Sequence, residues 1–391
     1  MQKIYLDQAA TSFPKAPGTA EAVYRYMRDC GCNVSRGSYA GAYSAEELVY
    51  DTRILLCRLF GCGDADSKKV VFTKNVTESL NVLLKGLLRP GDHVLVSSME
   101  HNAVMRPLGQ LAKQGIRVTR VPCAGDGSMD PADLEARIEK DTKAVVMLHA
   151  SNVCGTVLPA AEVGAICRER GIRFILDTAQ TAGALPVDMN AMGIDALAFT
   201  GHKGLLGPQG TGGFLIREDL AAETEPLITG GTGSISHTED VPDFLPDRFE
   251  AGTLNLPGIA GLNASLAWLL AQPAGSILAH ELALTGRFLG HMEELEEDGL
   301  LRIVGKRSTE GRTGVVSIVP AGKDPAELAF RLDEEYGIAT RVGLHCAPAA
   351  HRTLGTWPQG TVRFSFGAFN TETETDEAAK AVAALCRSER K

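Results

Sequence analysis

Three apolar segments stand close together in the middle of the chain: AVVMLHA at residues 144–150, RFIL at 173–176 and ALAFT at 196–200. The first two are separated by PAAEVGAICRER at 159–170, which opens on a proline and closes before Gly171, as helices commonly do. Short apolar strands that alternate with helices predict βαβ units and a mainly parallel sheet with helices on both faces. We therefore expect an α/β fold whose functional residues lie at the carboxyl ends of the strands.

The same alternation continues on both sides of this stretch. Strands are also predicted at 70–73, 93–97, 117–121 and 213–216, and a helix at 77–88. The segment 227–257 is rich in glycine, proline and threonine and is predicted to be a long loop, and such loops in a compact enzyme usually carry function. Mixed strand and helix patterns follow it. We expect a large α/β domain over residues 15–257 and a smaller α+β domain formed by residues 1–14 and 258–391.

Composition excludes several classes of protein. The 391 residues include 48 Asp and Glu against 39 Lys and Arg, giving a net charge of −9. An acidic chain without a basic cluster is not expected to bind nucleic acid. No apolar run approaches the roughly 18 to 20 residues of a membrane span, and the N-terminal MQKIYLDQAA lacks the apolar core of an export signal. We therefore predict a cytoplasmic protein that binds neither nucleic acid nor membranes.

Nine cysteines are spread along the chain without a paired CxxC spacing. This distribution argues against a disulfide framework and is compatible with a reducing compartment. Cys30 and Cys32 could form half of a metal site, but no second pair of cysteine or histidine residues accompanies them at ligand spacing. No metal site is predicted.

A lysine follows the predicted strand at 196–200, in the sequence Thr200-Gly-His202-Lys203-Gly. A lone lysine is usually a solvent-exposed surface residue. Here it lies just past a strand end, between small residues and beside a histidine, which suits a lysine that forms a Schiff base with a carbonyl compound. Lys203 is therefore a candidate for covalent catalysis.

An aspartate ends another strand that is apolar enough to be buried. Asp177 follows RFIL at 173–176, and a buried carboxylate without a partner is costly. The protonated ring nitrogen of pyridoxal phosphate would be such a partner, and Gln180 could reach the phenolic oxygen of the same ring. The alternative is that Asp177 only caps the helix that follows.

Three more strand ends carry groups that fit a phosphate-bearing ring. In FTKNVTESLN a strand turns into a helix at Val76 and Thr77, and a helix N-terminus binds phosphate through its free amides and its dipole. His101, in MEHNAV, could stack on a flat ring and transfer protons, or it could simply cap a helix. Asn152, in SNVCGT, either forms a turn or binds a substrate carboxylate and the cofactor.

These strand ends follow one another in an order that resembles a known family. The motifs are YLDQAATSFP, TKNVTESLN, MEHNAV, SNVCGT, DTAQ, TGHKGLLGP, FEAGTLN and RVGLHCAP. Together they resemble the class V, fold-type I pyridoxal-phosphate enzymes, and within them the cysteine desulfurases, closest to the Suf-type group that includes selenocysteine lyases. The resemblance runs essentially from end to end. It implies a fold-type I transferase with a large, mainly parallel sheet and pyridoxal 5'-phosphate as the cofactor.

The resemblance also implies a role for each candidate residue around the ring. Lys203 would be the Schiff-base lysine. Asp177 would pair with the pyridine nitrogen, and Gln180 would bond the phenolic oxygen. His101 would stack on the ring and is a candidate acid or base, while Asn152 would contact the cofactor and the carboxylate of the substrate.

Binding of the cofactor phosphate is implied in the same way. By resemblance, Val76, Thr77, Thr200 and His202 would hold the phosphate within one subunit. Thr253, in FEAGTLN, would reach the phosphate of the neighbouring subunit. The resemblance therefore implies an obligate homodimer.

The loop RVGLHCAP contains the residue that decides the reaction. Cys346 lies among glycine, histidine and proline, with His345 adjacent and Arg341 nearby. We expect a mobile polar loop in the small domain, where cationic groups favour the nucleophilic thiolate. By resemblance, Cys346 is the persulfide-forming cysteine, and Arg363 is the arginine that binds the carboxylate of the amino acid in a bidentate fork. Arg341 is a second candidate for substrate binding.

The implied reaction is the desulfuration of L-cysteine. Cys346 takes the sulfur of the substrate, alanine is released, and the persulfide is passed to an acceptor, which could be a protein. Two features depart from the Suf-type pattern. Ser35-Arg36-Gly37 stands where the family usually shows His-Arg-Gly, so one active-site histidine is missing, although Arg36 is still a candidate for substrate binding in the partner's site. The segment APAAHRTLGT after Cys346 also differs, so a docking surface for a sulfur acceptor does not follow.

Other activities stay open at this point. The substrate could be L-selenocysteine, and class V enzymes also include aminotransferases, racemases or epimerases and β-lyases, because a fold does not fix a function. These other reactions need no cysteine at position 346, so Cys346 distinguishes them from desulfuration. A scaffold without catalytic activity is the last alternative, and the intact Lys203, Asp177 and His101 argue against it.

Overall fold

The structure is a computed structural model that describes residues 3–34, 37–235 and 237–388. In these ranges the strands are β1 (Ile4–Tyr5), β2 (Val70–Thr73), β3 (His93–Ser97), β4 (Arg117–Val121), β5 (Thr142–Leu148), β6 (Arg173–Asp177), β7 (Ala196–Thr200), β8 (Gly212–Ile216), β9 (Leu301–Val304), β10 (Val315–Pro320), β11 (Ile338–Ala339), β12 (Arg341–Gly343) and β13 (Thr361–Ser365). The α-helices are α1 (Thr19–Arg25), α2 (Ala40–Leu59), α3 (Val76–Leu87), α4 (Asn102–Ala112), α5 (Pro131–Glu135), α6 (Ala160–Arg170), α7 (Glu218–Glu223), α8 (Leu256–Leu270), α9 (Ser276–Glu297), α10 (Pro325–Tyr336), α11 (Pro348–Thr353) and α12 (Glu372–Arg387).

A large sheet occupies the first two thirds of the chain. Within the described ranges it has seven strands in the order β2-β8-β7-β6-β5-β3-β4. Strands β3 to β7 run parallel to one another, whereas β8 is antiparallel to both of its neighbours, β2 and β7. The carboxyl ends of β2, β3, β5, β6 and β7 therefore lie at one edge. The predicted α/β fold with a mainly parallel sheet is confirmed.

Alternating side chains of these strands bury both faces of the sheet. On one face, residues such as Phe174, Leu176 and Phe199 pack in a core that also includes side chains of α2, α6 and α8. On the other face, residues such as Ile175 and Ala198 pack with α3, α4 and α7. This two-sided burial explains why the strands appear in the sequence as nearly continuous apolar runs.

A smaller antiparallel sheet follows, in the order β12-β13-β10-β9. Side chains from α9, α10 and α12 pack on it around a separate core, in which the Phe288 and Phe364 ring centroids are 4.7 Å apart. The chain start joins this unit, because β1 pairs in parallel with β11. Helix α8 packs against α1 and α2 on the large sheet. The domain division at residue 257 stays a prediction.

The long segment between α7 and α8 contains neither helix nor strand in its described part, as predicted, but the loop ends two residues before the predicted 257 because α8 begins at Leu256. None of the helices in the described ranges combines the length and the apolar character needed to span a membrane. All nine cysteines are free thiols. The described residues contain no group of three or more His, Cys, Asp or Glu side chains arranged to hold a metal ion.

Two helical glycines give a test of how closely α6 packs. A Cβ atom at Gly164 in α6 would collide with the carbonyl oxygen of Met192, whereas one at Gly290 in α9 would meet nothing within 4 Å. Alanine stabilises a helix interior by about 0.5–1 kcal/mol relative to glycine. We therefore expect Gly290→Ala to raise the midpoint of thermal unfolding and Gly164→Ala to lower it, since overpacking costs about 1–3 kcal/mol. Equal stabilisation by both substitutions would contradict the close packing.

Candidate active site

The carboxyl edge of the large sheet encloses a small cavity. Its lining consists of Val76, His101, Leu148, Ala150, Asn152, Asp177, Ala179, Gln180 and Lys203. These residues come from the ends of five strands that are far apart in the sequence but share this edge. The structure therefore brings together six of the residues singled out from the sequence, as the rule for parallel α/β sheets predicts.

Lys203 lies in the turn that follows β7. Its carbonyl oxygen accepts a hydrogen bond from the amide of Leu206, which closes the turn. Burial lowers the pKa of the Lys203 ammonium to about 8, and the Asp177 carboxylate nearby opposes this shift. About a tenth of the amine is therefore unprotonated at pH 7, far more than for an ordinary lysine, and this is the form that acts as a nucleophile or a base.

Asp177 ends β6 and is 5% exposed. Its Oδ1 atom accepts a hydrogen bond from the amide of Ala179 at 2.9 Å, and it also lines the cavity. The bond closes a turn, and the alternative of a helix cap is wrong, because no helix lies between β6 and β7, a stretch that the structure describes in full. Burial raises the pKa of its carboxyl group, while the Ala179 amide and the Lys203 charge oppose the shift. Gln180, on the same turn, donates from Nε2 to the carbonyl oxygen of Ala9 at 3.1 Å.

His101 is both a helix cap and a wall of the cavity. It is the N-cap residue of α4, and its Nδ1 atom accepts a hydrogen bond from the Ala103 amide at 3.0 Å. That bond leaves the proton of the neutral ring on Nε2. Burial, followed by the charge of Lys203, lowers the pKa of His101 to about 4. At neutral pH the ring is therefore uncharged and carries one donor, at Nε2.

Two buried polar atoms beside Lys203 have no partner within the described part of the chain. They are Oγ1 of Thr200, at the end of β7, and Nδ1 of His202. Burial lowers the pKa of His202 to about 4, so this ring is neutral as well. Unpaired buried polar atoms are uncommon in folded proteins and are often explained by an unseen ligand.

The N-terminus of α3 packs closely on β8 at Gly212, the residue that pairs with Thr200 of β7. A Cβ atom at Gly212 would lie 2.6 Å from Cα of Asn75, the N-cap residue of α3. Val76 lines the cavity, whereas the Thr77 side chain is exposed. Thr253 is exposed too and lines a different cavity, together with Thr73 and Gly212. Within one chain, Thr253 therefore does not join the Lys203 cavity.

Arg363, on β13, is 2% exposed and held by two groups. Its NH2 atom donates to Oδ1 of Asp7 at 2.9 Å, and its NH1 atom donates to the carbonyl oxygen of Asn152 at 3.0 Å. Its Nε atom has no partner among the described residues. Arg341, half exposed on β12, donates from Nε and NH2 to both carboxylate oxygens of Asp7. One carboxylate thus joins the two predicted substrate-binding arginines.

The turn that carries Cys346 is anchored, which differs from the mobile loop expected. The Cys346 carbonyl oxygen accepts a hydrogen bond from the amide of Asn102 at 2.8 Å. The His345 carbonyl oxygen accepts one from Nδ2 of Asn152, also at 2.8 Å. Both residues have left-handed backbone angles, with φ of +46° at His345 and +57° at Cys346. Cys346 is exposed, and the backbone of its turn is bonded to Asn152 and to Asn102, the neighbour of His101.

His345 does not supply the positive charge expected beside the thiol. Its ring is buried, and its Nε2 atom contacts Oγ1 of Thr361 at 2.9 Å. Burial, followed by the charge of Arg363, lowers the pKa of His345 to about 2, so the ring stays neutral. The cation near Cys346 is Arg341, whose pKa is raised mainly by its hydrogen bonds to Asp7 and to a smaller extent by Cys346.

The sequence analysis missed three residues near the site, namely Asp7, Lys15 and Glu100. The predicted positions Ser35 and Arg36 lie outside the described residues. Asp7 and Lys15 come from the N-terminal segment, and Lys15 donates from Nζ to the His202 carbonyl oxygen at 2.9 Å. Glu100 is fully buried next to His101, and burial raises its pKa to about 8. The motifs YLDQAAT and MEHNAV contain Asp7 and Glu100, but only the folded chain shows their partners.

The chain belongs to the aminotransferase class-V family, whose pattern it matches over residues 4–377. A probable cysteine desulfurase of Methanothermobacter thermautotrophicus is 35% identical over 375 residues, which cover 95% of this chain and 92% of the relative. A probable cysteine desulfurase of Aeropyrum pernix is also 35% identical, over 99% of this chain and 95% of the relative. The family resemblance seen in the motifs is thus confirmed.

Solved structures agree with this membership. The structure of the cysteine desulfurase from Thermococcus onnurineus, described as an apo structure, has a TM-score of 0.90 and 33% identity, covering 99% of this chain and 95% of that one. The Escherichia coli cysteine desulfurase CsdA has a TM-score of 0.86 and 28% identity, over 98% and 94% of the two chains. The fold-type I architecture expected from the sequence is confirmed.

The electrostatics of the cavity predict an unusually acidic ammonium group at Lys203. In protein free of carbonyl compounds, trace acetylation measured by mass spectrometry across a pH series should give half-maximal reactivity of Lys203 near pH 8. An ordinary lysine titrates at about 10.4. Because the Asp177 charge raises the pKa of Lys203, Asp177→Asn should move the midpoint lower still. A midpoint above pH 10, or an upward shift in the variant, would contradict the described environment.

Proposed function

We propose that this protein is a pyridoxal-phosphate-dependent cysteine desulfurase that converts L-cysteine to L-alanine and leaves a persulfide on Cys346. The observation that carries the proposal is the placement of the Cys346 turn. The Cys346 carbonyl oxygen is bonded to the amide of Asn102, the neighbour of His101. The His345 carbonyl oxygen is bonded to the side chain of Asn152. Both His101 and Asn152 line the Lys203 cavity. An exposed thiol at this position lies beside the lysine-bearing cavity. Related proteins that are named cysteine desulfurases support the same activity.

The residues around the cavity fit the proposed cofactor. Lys203 would hold it covalently, and the buried Asp177 carboxylate would pair with its ring nitrogen. The unpaired Oγ1 of Thr200 and Nδ1 of His202 would bind its phosphate. When bound, pyridoxal phosphate supplies an electron sink for the bond cleavage next to the amino group of the substrate.

Other parts of the cavity complete the proposed cofactor site. The amides at Val76 and Thr77, at the N-terminus of α3, would add hydrogen bonds and a favourable dipole for the phosphate. His101, neutral and aligned by the Ala103 amide, would stack on the ring and donate from Nε2. Gln180 still has one Nε2 proton beyond its bond to Ala9, and this proton would reach the phenolic oxygen.

Different residues of the site carry out separate steps of the proposed reaction. Arg363 offers its free Nε–H to the substrate carboxylate, and Asn152 lies next to it. The Lys203 amine, whose pKa is lowered to about 8, removes the α-proton and later returns a proton to the product. The Asp177 carboxylate keeps the ring nitrogen protonated. Cys346, held by the anchored turn, would approach the side chain of the substrate, so the reacting groups would need little reorganisation.

The sulfur transfer balances without an external oxidant. The Cys346 thiolate attacks the sulfur atom of L-cysteine, a new S–S bond forms, and the C–S bond of the substrate breaks. The electron pair of that bond stays on the substrate carbon, which takes up a proton and becomes the methyl group of alanine. The persulfide sulfur then passes to a thiol, either of a reductant or of an acceptor protein.

We also propose a cytoplasmic homodimer. Thr253 does not line the Lys203 cavity of its own chain, although it lies next to the start of α3. A second copy that presents Thr253 would bring another hydroxyl to the phosphate site. The free thiols of all nine cysteines fit a reducing compartment.

The role of Cys346 can be tested by product analysis. The cofactor-loaded protein, given L-cysteine and a reductant, should release alanine and sulfide in equal amounts, and Cys346→Ala should lose both. The matched control is Cys62→Ala, because Cys62 is a half-buried thiol outside the site and should keep wild-type activity. Pyruvate in place of alanine would indicate a β-lyase. Full activity of Cys346→Ala would indicate another class V reaction.

Sharing of Thr253 between subunits can be tested by complementation. Homodimers of Lys203→Ala should be inactive, and homodimers of Thr253→Val should be weakened by about tenfold through the loss of a charge-assisted hydrogen bond. A heterodimer of the two variants contains one site with both Lys203 and Thr253. We expect its activity to rise to nearly half that of the wild type. A heterodimer no more active than Thr253→Val would mean that Thr253 does not serve the partner's site.

A further inference from the structure

The Asp7 carboxylate accepts hydrogen bonds from both Arg341 and Arg363, but more of them from Arg341. Arg341 donates three hydrogen bonds to it, from Nε at 3.1 Å to each oxygen and from NH2 at 2.8 Å to Oδ2. Arg363 donates only one, from NH2 to Oδ1 at 2.9 Å. The Nε–NH2 edge of Arg341, the geometry that recognises a carboxylate, is therefore occupied by Asp7.

Arg363 keeps a donor for a ligand. Its side chain is almost wholly buried, yet its Nε–H has no partner within residues 3–34, 37–235 and 237–388. A buried donor without a partner is unfavourable, so this edge is prepared for an incoming acceptor. The two arginines thus differ in function, although both flank the site.

The charges of Asp7, Arg341 and Arg363 also distinguish the two arginines. Among these three side chains, Arg341 and Arg363 contribute two positive charges and Asp7 one negative charge, which leaves one net positive charge for a ligand. We propose that Asp7 is a specificity-determining residue: by occupying Arg341, it restricts the site to amino acids with one carboxylate and an uncharged side chain. Discrimination then arises because Asp7 neutralises one of the two arginines that flank the described site, not from a steric barrier.

The position of Arg341 shows which part of the substrate it would otherwise meet. Its guanidinium group interacts electrostatically with Lys203 and with Cys346. This step rests on the proposed function, in which Cys346 approaches the side chain of the substrate while Arg363 holds the α-carboxylate. An Arg341 released from Asp7 would therefore face the end of the side chain and attract an anionic group there.

L-Aspartate and L-asparagine form the matched pair of probes, because they differ in side-chain charge and hardly in size. Dissociation constants are measured on cofactor-loaded protein from the change in cofactor absorbance, so no sulfur chemistry is needed. Asp7→Asn should raise the affinity of aspartate relative to asparagine by about tenfold or more, as expected for a new charge-assisted contact. Arg341→Gln should shift the same ratio in the opposite direction, since it leaves Asp7 to neutralise Arg363.

The double variant, Asp7→Asn with Arg341→Gln, restores one uncompensated charge and should return the ratio to within about threefold of the wild type. The proposal would be overturned if the affinity for aspartate relative to asparagine stayed at the wild-type value in both single variants. It would also be overturned if this relative affinity were still raised in the double variant. Either single variant suffices if the other fails to fold. Because binding is measured without turnover, loss of the proposed desulfurase activity in a separate assay would leave this result intact, and the two failures can be told apart.

Discussion

The buried guanidinium group of Arg363 is the interaction on which the arrangement of this protein depends. A charged side chain with 2% exposure is tolerated when an opposite charge and hydrogen-bond acceptors are buried with it, and two of the three guanidinium nitrogens of Arg363 have such partners. Those partners come from separate parts of the chain: Asp7 precedes the large domain, and the Asn152 carbonyl follows a strand of the large sheet. Asn152 in turn binds the His345 carbonyl oxygen. These contacts tie the chain start, both sheets and the Cys346 turn together where the cavity lies.

Burial also sets the chemistry of the cavity. It lowers the pKa of Lys203 to about 8 and that of His101 to about 4, and it raises the pKa of Asp177. The amine is thereby available near neutral pH, and the histidine is an uncharged donor. These shifts arise because the strand ends exclude water from groups that would be charged in solution. A polar cofactor that pairs with Asp177 would relieve part of the resulting cost.

The sequence was most informative where structure follows from local pattern. Strands at 70–73, 93–97 and 196–200 were predicted with their observed bounds because strands buried on both faces are nearly continuous apolar runs. The edge strand at 117–121 was also predicted with its observed bounds, from its β-branched residues. Lys203, Asp177 and His101 were found because strand ends of a parallel sheet share one edge. Asp7 was missed, since its partners lie more than 300 positions away. The anchored Cys346 turn was predicted to be mobile because its glycine and proline content gives no sign of the bonds to Asn102 and Asn152.

The central claim is that sulfur passes from the substrate to Cys346. The most direct measurement is peptide mass spectrometry of the cofactor-loaded protein after one turnover with L-cysteine, without reductant and with an alkylating trap for persulfides. One added sulfur atom on the peptide that contains Cys346, formed together with one equivalent of alanine, is the predicted result. Alanine formed without sulfur on that peptide, or sulfur found on another cysteine instead, would contradict the claim.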